Sequence, residues 1–229
     1  MTPKLSPFEV DPEILSRIRP MERQDLGHVC RLHAAAMGRS LWARLGRGFL
    51  RQVYAGLVSH PDFLGYVYVE RGRPRGFIAG TADGPRMMGQ VARQRAGRLA
   101  LATAAGLLRD PGALRPLLET ARYFSRSGVP GAEQILAESM FCTFEPNLRG
   151  KRVSGLINKV LFDELLDRGQ RYVKITTEVN NEGAVRQLTS WGFERLGTFH
   201  FYGKEMLTWR LDLPACERVT GRTESEGRR

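Results

Sequence analysis

The sequence predicts one mixed domain of the α/β or α+β class, and three observations lead there. Its periodic segments run β-α-α-β-β, then a long insertion, then β-α-β-α-β-β. The chain has 229 residues, 42% of them hydrophobic, which is enough for a proper core and too much for wholesale disorder. No segment repeats another, so the pattern describes a single unit rather than an array.

Charge and cysteine usage narrow the function classes. With 35 Lys and Arg against 24 Asp and Glu, the formal charge is +11. That balance favours anionic partners: nucleic acid, a phosphorylated ligand, an acidic carrier protein or a membrane surface. The longest uncharged run, Leu99–Leu108, has ten residues, well short of the roughly 20 that a membrane span needs. The amino terminus has no signal-type apolar region. Cys30, Cys142 and Cys216 lie far apart, with no Cys-x-x-Cys pair and no His at ligand spacing. This argues against a disulfide framework or a metal site and for a reduced, cytoplasmic protein.

Residues 1–16 read as an irregular leader, and 17–213 as the domain. Arg17-Ile18-Arg19 forms a short strand ended by Pro20. Asp25 stands at an N-cap position before Leu26, Val29, Cys30, Leu32, His33 and Ala36 at helical spacing. A second amphipathic helix spans Trp42 to Val58, stopped by His60-Pro61-Asp62. Phe63 to Glu70 and Gly76 to Thr81 make a hairpin around Arg71-Gly72-Arg73-Pro74. Residues 84–132 are an Arg-rich insertion with two predicted helices, broken at Asp110-Pro111-Gly112. It is either a solvated helical face or a lid and dock for an anionic substrate, with Arg93, Arg95 and Arg98 as its cations. Ile135 to Phe144 is a strand, followed by a helix with Val153, Leu156, Ile157, Val160, Leu161 and Leu165 on one face and Gly169 at C′. Val173 to Val179 alternates as a strand, Ala184 to Trp191 fits a helix closed by Gly192, and two strands flank Tyr202-Gly203. The tail, 214–229, reads as disordered.

The chemistry-bearing feature is a strand running into Arg149-Gly150-Lys151-Arg152-Val153-Ser154-Gly155 at a helix start. A helix start presents unpaired N–H groups and the positive end of the dipole. Glycines let backbone approach a ligand, and the three cations add side-chain charge. From these features two readings stay open, an anion site or an ordinary basic loop.

This stretch resembles the acyl-CoA-binding loop of the GNAT superfamily of N-acyltransferases, [Gln/Arg]-x-x-Gly-x-[Gly/Ala] shortly after a Pro. Further motifs of that superfamily are Asn181-Glu182-Gly183-Ala184 with Gly192-Phe193, Ile18-Arg19-Pro20 with Asp25-Leu26, and Gly76-Phe77-Ile78-Ala79-Gly80. The resemblance covers 17–213 apart from the insertion. It implies a mixed, mostly antiparallel central sheet flanked by helices, with the insertion between the third and fourth strands. Aligned from Pro146 and Arg149, Arg152 and Ser154 replace the small residues of the loop, where backbone amides can still line a phosphate if the φ of Arg152 stays negative. Leu188 stands where many members carry a Tyr.

The resemblance implies an N-acetyltransferase using acetyl-CoA as cosubstrate, without metal, by direct transfer to a primary amine. The loop Arg149, Gly150, Lys151, Arg152, Val153, Ser154 and Gly155 would wrap the CoA diphosphate. Backbone N–H groups from Cys142, Thr143 and Phe144 would pair with the pantetheine and polarise the thioester, and Asn181 would join the cofactor set. Ala137-Glu138-Ser139-Met140-Phe141-Cys142 resembles the strand of the histone-acetylating branch, which makes Glu138 the general base, opposed by the reading of a surface residue. Tyr202, Thr189 or water would protonate the leaving thiolate. Cys142 fits a buried core thiol better than a nucleophile, since no His partner follows. The four histidines are expected to be satisfied or solvated. The partners expected are a small, anionic amine, an acidic carrier protein and a second copy of the chain. The competing functions are a CoA-binding or scaffold protein of the same fold without catalysis, and a basic nucleic-acid-binding protein. The latter is disfavoured by the lack of aromatic interleaving and of a recognisable nucleic-acid motif.

Overall fold

The computed structural model describes residues 10–38, 40–118, 129, 131–201 and 203–220. Its elements are α1 (Pro12–Ser16), β1 (Ile18–Pro20), α2 (Leu26–Ala36), α3 (Leu41–Arg44), α4 (Gly46–Leu57), β2 (Phe63–Glu70), β3 (Arg73–Thr81), α5 (Gly84–Gln94) and α6 (Ala96–Arg109), then β4 (Glu138–Phe144), α7 (Val153–Asp167), β5 (Tyr172–Glu178), α8 (Glu182–Trp191), β6 (Glu194–Phe201), β7 (Lys204–Asp212) and α9 (Glu217–Thr220). The strands form one sheet in the order β1-β2-β3-β4-β5-β7-β6. Every pairing is antiparallel except β4 with β5. The mostly antiparallel sheet flanked by helices agrees with the expectation.

The sheet separates two cores. On one face, α7 and α8 bury Leu156, Ile157, Leu161, Phe162, Leu165 and Trp191 against Ile78, Trp209 and Leu211. On the other, α2, α4 and α5 bury Val29, Leu50, Tyr54 and Met87 against Val67 and Phe77. The stripes at helical spacing and the alternation in the strands thus supply both layers. Gly169 and Gly192 close α7 and α8 with φ of +76° and +82°, the left-handed conformation that glycine adopts without a Cβ penalty.

Several boundaries differ from the sequence reading. Of the leader, 1–9 lies outside the described residues, and the described part is helical: Asp11 Oδ1 accepts from the amides of Glu13 and Ile14, and Pro12 opens α1. Asp25 caps the short 3₁₀ turn Arg23–Asp25 rather than α2, accepting from Glu22 N at 2.8 Å while Arg19 holds both of its oxygens at 2.7 and 2.8 Å. The helix expected over 42–58 is split into α3 and α4 at Gly46, where φ is +90°. Of the tail, residues 214–220 are described and end in α9, and 221–229 lie outside the described residues. Cys216 and Val219 are buried against the α7 side, and Arg218 lies over the Trp191 ring, 5.3 Å from its centre.

The insertion folds with one break more than expected, at Arg95 between α5 and α6. Asp83 caps α5 by accepting from Arg86 N at 3.0 Å. Arg95 donates to Gln52 at 3.2 Å and to the Ala55 carbonyl at 3.1 Å, tying this break to α4. Gly106 lets α6 approach closely, because a Cβ there would stand 2.6 Å from the Leu45 carbonyl oxygen. Leu41, Leu45 and Ala113 form a small core of their own. Beside it Arg44 holds Asp110 with two bonds, 2.7 and 2.9 Å long.

Candidate active site

The two parallel strands at the centre of the sheet part company almost at once. β4 pairs with β5 only through Glu138 with Lys174 and Ser139 with Ile175. One extra residue then enters β4: Ser139 faces Gly80 and Phe141 faces Ala79, so Met140 is bulged. Beyond the bulge the strands diverge and a gap opens between Met140–Phe144 and Thr176–Glu178.

The ladder on the other side of β4 shows which groups face that gap. Glu145 N donates to the Arg75 carbonyl at 2.8 Å, and the register pairs Thr143 with Phe77 and Phe141 with Ala79. Antiparallel alternation therefore turns the main-chain groups of Phe141, Thr143 and Glu145 toward β3, and those of Cys142 and Phe144 toward the gap. Of the three expected amide donors, Thr143 is the exception, because its N–H belongs to the ladder.

At the end of the same strand the chain enters the Arg149–Gly155 turn. Pro146–Leu148 makes one 3₁₀ turn, held from β3 by Arg75, which bonds Glu145 at 2.7 Å and Asn147 at 2.9 Å. Leu148 and Val153 are buried and anchor both ends, while Arg149, Gly150, Lys151 and Arg152 are exposed. Gly150 has φ +76° and Arg152 φ +59°. The condition of a negative φ at Arg152 is not met: the turn needs a left-handed residue immediately before α7, and Arg152 adopts it despite its Cβ. The first-turn amides of Val153, Ser154 and Gly155 have no hydrogen-bond partner among the described residues. Arg149 and Lys151 make no ion pair among them. The turn is open, cationic and lined with free donors.

Asn158, which the sequence reading passed over, connects this turn to the gap. Buried one helical turn into α7, it donates to the Ser154 carbonyl at 2.7 Å and to Cys142 Sγ at 3.8 Å. A polar residue on the buried face of an amphipathic helix was the signal available for it. Burial pushes the Cys142 thiol up to about 12, with Asn158 opposing, so the sulfur stays protonated and its backbone carries the interest. Asn181 spends its side-chain oxygen on Ala184 N at 3.1 Å, capping α8. Its place in the cofactor set would rest on the remaining amide. Tyr202 lies outside the described residues, and Thr189 is exposed on α8.

Glu138 stands two residues before the bulge. Its Oε2 lies 3.5 Å from the place a Cβ on Gly84 would take, so the carboxylate points at the start of α5. Burial raises its pKa above the ordinary carboxylate range, partly opposed by the charge of Lys174. His33, expected to be satisfied or solvated, is buried with Nδ1 2.9 Å from Tyr54 Oη and Nε2 without a partner. It packs edge-on against Phe141 of β4, 4.8 Å between ring centres.

Two cavities meet at the β6–β7 turn. One, of about 350 Å³, is lined by Glu178, Val179, Asn180, Gly203, Lys204 and Glu205, at the open end of β5. The other, of about 680 Å³, lies between that turn and the insertion, where Pro111, Gly112, Leu114, Arg115 and Leu118 face His200 and Gly203. Gly203 lines both. The cation that reaches the larger cavity is Arg115, not the expected Arg93, Arg95 or Arg98.

Solved structures share this architecture. An N-acetyltransferase from Staphylococcus aureus Mu50 aligns over 86% of this chain and 97% of its own with a TM-score of 0.54 and 14% identity. A ribosomal-protein-alanine N-acetyltransferase from Brucella melitensis aligns over 85% and 98%, with a TM-score of 0.54 and 16% identity. For yncA from Salmonella typhimurium, solved with its cofactor acetyl-CoA, the figures are 86% and 92%, 0.51 and 15%. The fold is that of the GNAT N-acetyltransferases. No protein-family model and no curated protein matches the sequence. No described helix is long and apolar enough to cross a membrane.

Proposed function

We propose that the chain is an acyl-CoA-dependent N-acetyltransferase that moves the acetyl group of acetyl-CoA to a primary amine by direct transfer. The observation that carries this reading is the early parting of β4 and β5 beside an open helix start. The first leaves two main-chain donors turned toward the gap and the second leaves three at the helix start that follows the same strand. Such a row of donors fits the amides of a pantetheine arm and a diphosphate, with Arg149 and Lys151 adding charge.

Acetyl-CoA supplies the activated thioester. Cys142 N–H faces the gap and would polarise the thioester carbonyl, stabilising the oxyanion that forms on attack. An alkylammonium near pKa 10 must first lose a proton, and Glu138 would take it, directly or through water; its raised pKa brings it closer to the working pH of a base. Water or Tyr202 would return a proton to the leaving thiolate. The acceptor would lie in the cavity under the insertion, where Arg115 favours an amine that also carries an anionic group and Leu114 and Leu118 favour an apolar portion. A reduced, cytoplasmic setting suits the three free cysteines.

The test is CoA release, followed with a thiol reagent, from acetyl-CoA and a panel of primary amines with and without phosphate or carboxylate groups. Amine-dependent release is expected, strongest with anionic amines, and reduced at least about 100-fold in Glu138→Gln. Acetyl-CoA binding without release by any amine would identify a scaffold instead.

A further inference from the structure

We infer that the outer face of α6 is a docking surface for a bilayer rich in anionic phospholipid headgroups. The helix is apolar on two sides. Inward, Leu99 packs against the α2–α4 core, Gly106 against Leu45, and Leu107 on the small core around Ala113. Outward, Gly97, Leu101, Ala104, Ala105 and Leu108 form a second line at helical spacing, all exposed. Leu101 and Leu108 keep 75% and 86% of their surface open to solvent. Water-facing leucines two turns apart on one line are a patch, not scattered surface residues.

Charge states which partner suits it. From Gly84 to Arg109 there are five Arg (86, 93, 95, 98 and 109) and no Asp or Glu. Arg93, Arg98 and Arg109 are exposed and make no ion pair among the described residues, and the last two flank the apolar line at both ends. Leucines that enter the headgroup boundary, framed by guanidinium groups that bind phosphate, are the arrangement of a helix lying in a membrane interface. Area speaks against a protein partner. Fourteen residues make a face of about 21 by 10 Å, far below the roughly 800 Å² per partner of a stable complex. A second copy packed face to face would set Arg98 and Arg109 against their like.

The test is sedimentation of the full chain with vesicles of phosphatidylcholine alone or with about 30% phosphatidylglycerol. Binding at least about tenfold stronger to the anionic vesicles is expected, falling with salt. Leu101→Gln with Leu108→Gln, and separately Arg98→Gln with Arg109→Gln, should each weaken it about tenfold while thermal unfolding and acetyl-CoA binding stay as in the parent. No vesicle binding, or binding that the leucine pair leaves unchanged, would overturn the inference. So would a dimer in sedimentation velocity that the leucine pair abolishes, which would assign the face to a second copy. Acetyl-CoA binding does not depend on this face, so its loss would bear on the proposed function alone.

Discussion

Asn158 and Cys142 join the two halves of the site: the amide that holds the first turn of α7 also reaches the sulfur of the gap-facing strand residue, 3.8 Å away. The helix start and the strand amides are thereby fixed relative to each other. Asn158→Leu keeps the branched heavy-atom shape and removes both bonds. It is expected to weaken acetyl-CoA binding about tenfold and to cost about 1–2 kcal/mol of stability, read by calorimetry and by denaturant unfolding.

Arg152 holds a backbone conformation that costs an L-residue with a Cβ roughly 1–2 kcal/mol. Arg152→Gly removes that cost and is expected to leave stability equal or higher. Arg152→Val, with a branched Cβ at φ +59°, should destabilise by at least about 1 kcal/mol. Thermal unfolding of the two variants side by side checks the sign of each.

Glu138 gives opposite signs for activity and stability. Its folded pKa lies above the ordinary 4.5 because burial disfavours the charged form. The carboxyl therefore favours folding below 4.5, and that contribution is lost as pH rises through the folded pKa. Glu138→Gln should be more stable than the parent at pH 7 and lose that advantage below 4.5, while amine acetylation falls by at least about 100-fold. Unfolding curves across pH, set beside CoA-release rates, separate a base from a structural residue.

His33 works in the opposite direction to Glu138. Burial depresses it from 6.5 to about 4, so the neutral ring stabilises the fold above pH 6.5, and this is lost as pH falls toward 4. The shift corresponds to about 3 kcal/mol. His33→Phe is expected to flatten the acid destabilisation between pH 6.5 and 4, as measured by urea unfolding at stepped pH.

Much of the sheet and of the site was legible because periodicity reports burial directly. The stripe from Val153 to Leu165 and the alternation from Leu207 to Leu213 record which side meets the core. What was hidden depends on backbone geometry or on single side chains. Nothing in Arg152 announces a left-handed φ, since arginine rarely adopts one. The ladder direction that removes Thr143 from the donor set, and leaves Cys142 and Phe144 in it, depends on the Met140 bulge and its register. Asn158 resembled an ordinary interruption of an apolar face. The short helices α1 and α9 escaped because each rests on a local cap or on two buried residues, Cys216 and Val219, within a polar stretch. Arg115, rather than the denser cluster at Arg93, Arg95 and Arg98, reaches the larger cavity because the break at Arg95 turns that cluster onto α4 and the outer surface.

Calorimetric titration of the full chain with acetyl-CoA decides whether the gap between β4 and β5 and the turn before α7 together hold an acyl-CoA. Saturable one-site binding with a Kd below about 100 μM is expected, weakened at least tenfold, about 1.4 kcal/mol, by Arg149→Glu with Lys151→Glu. An absence of saturable heat up to about 1 mM acetyl-CoA would contradict it.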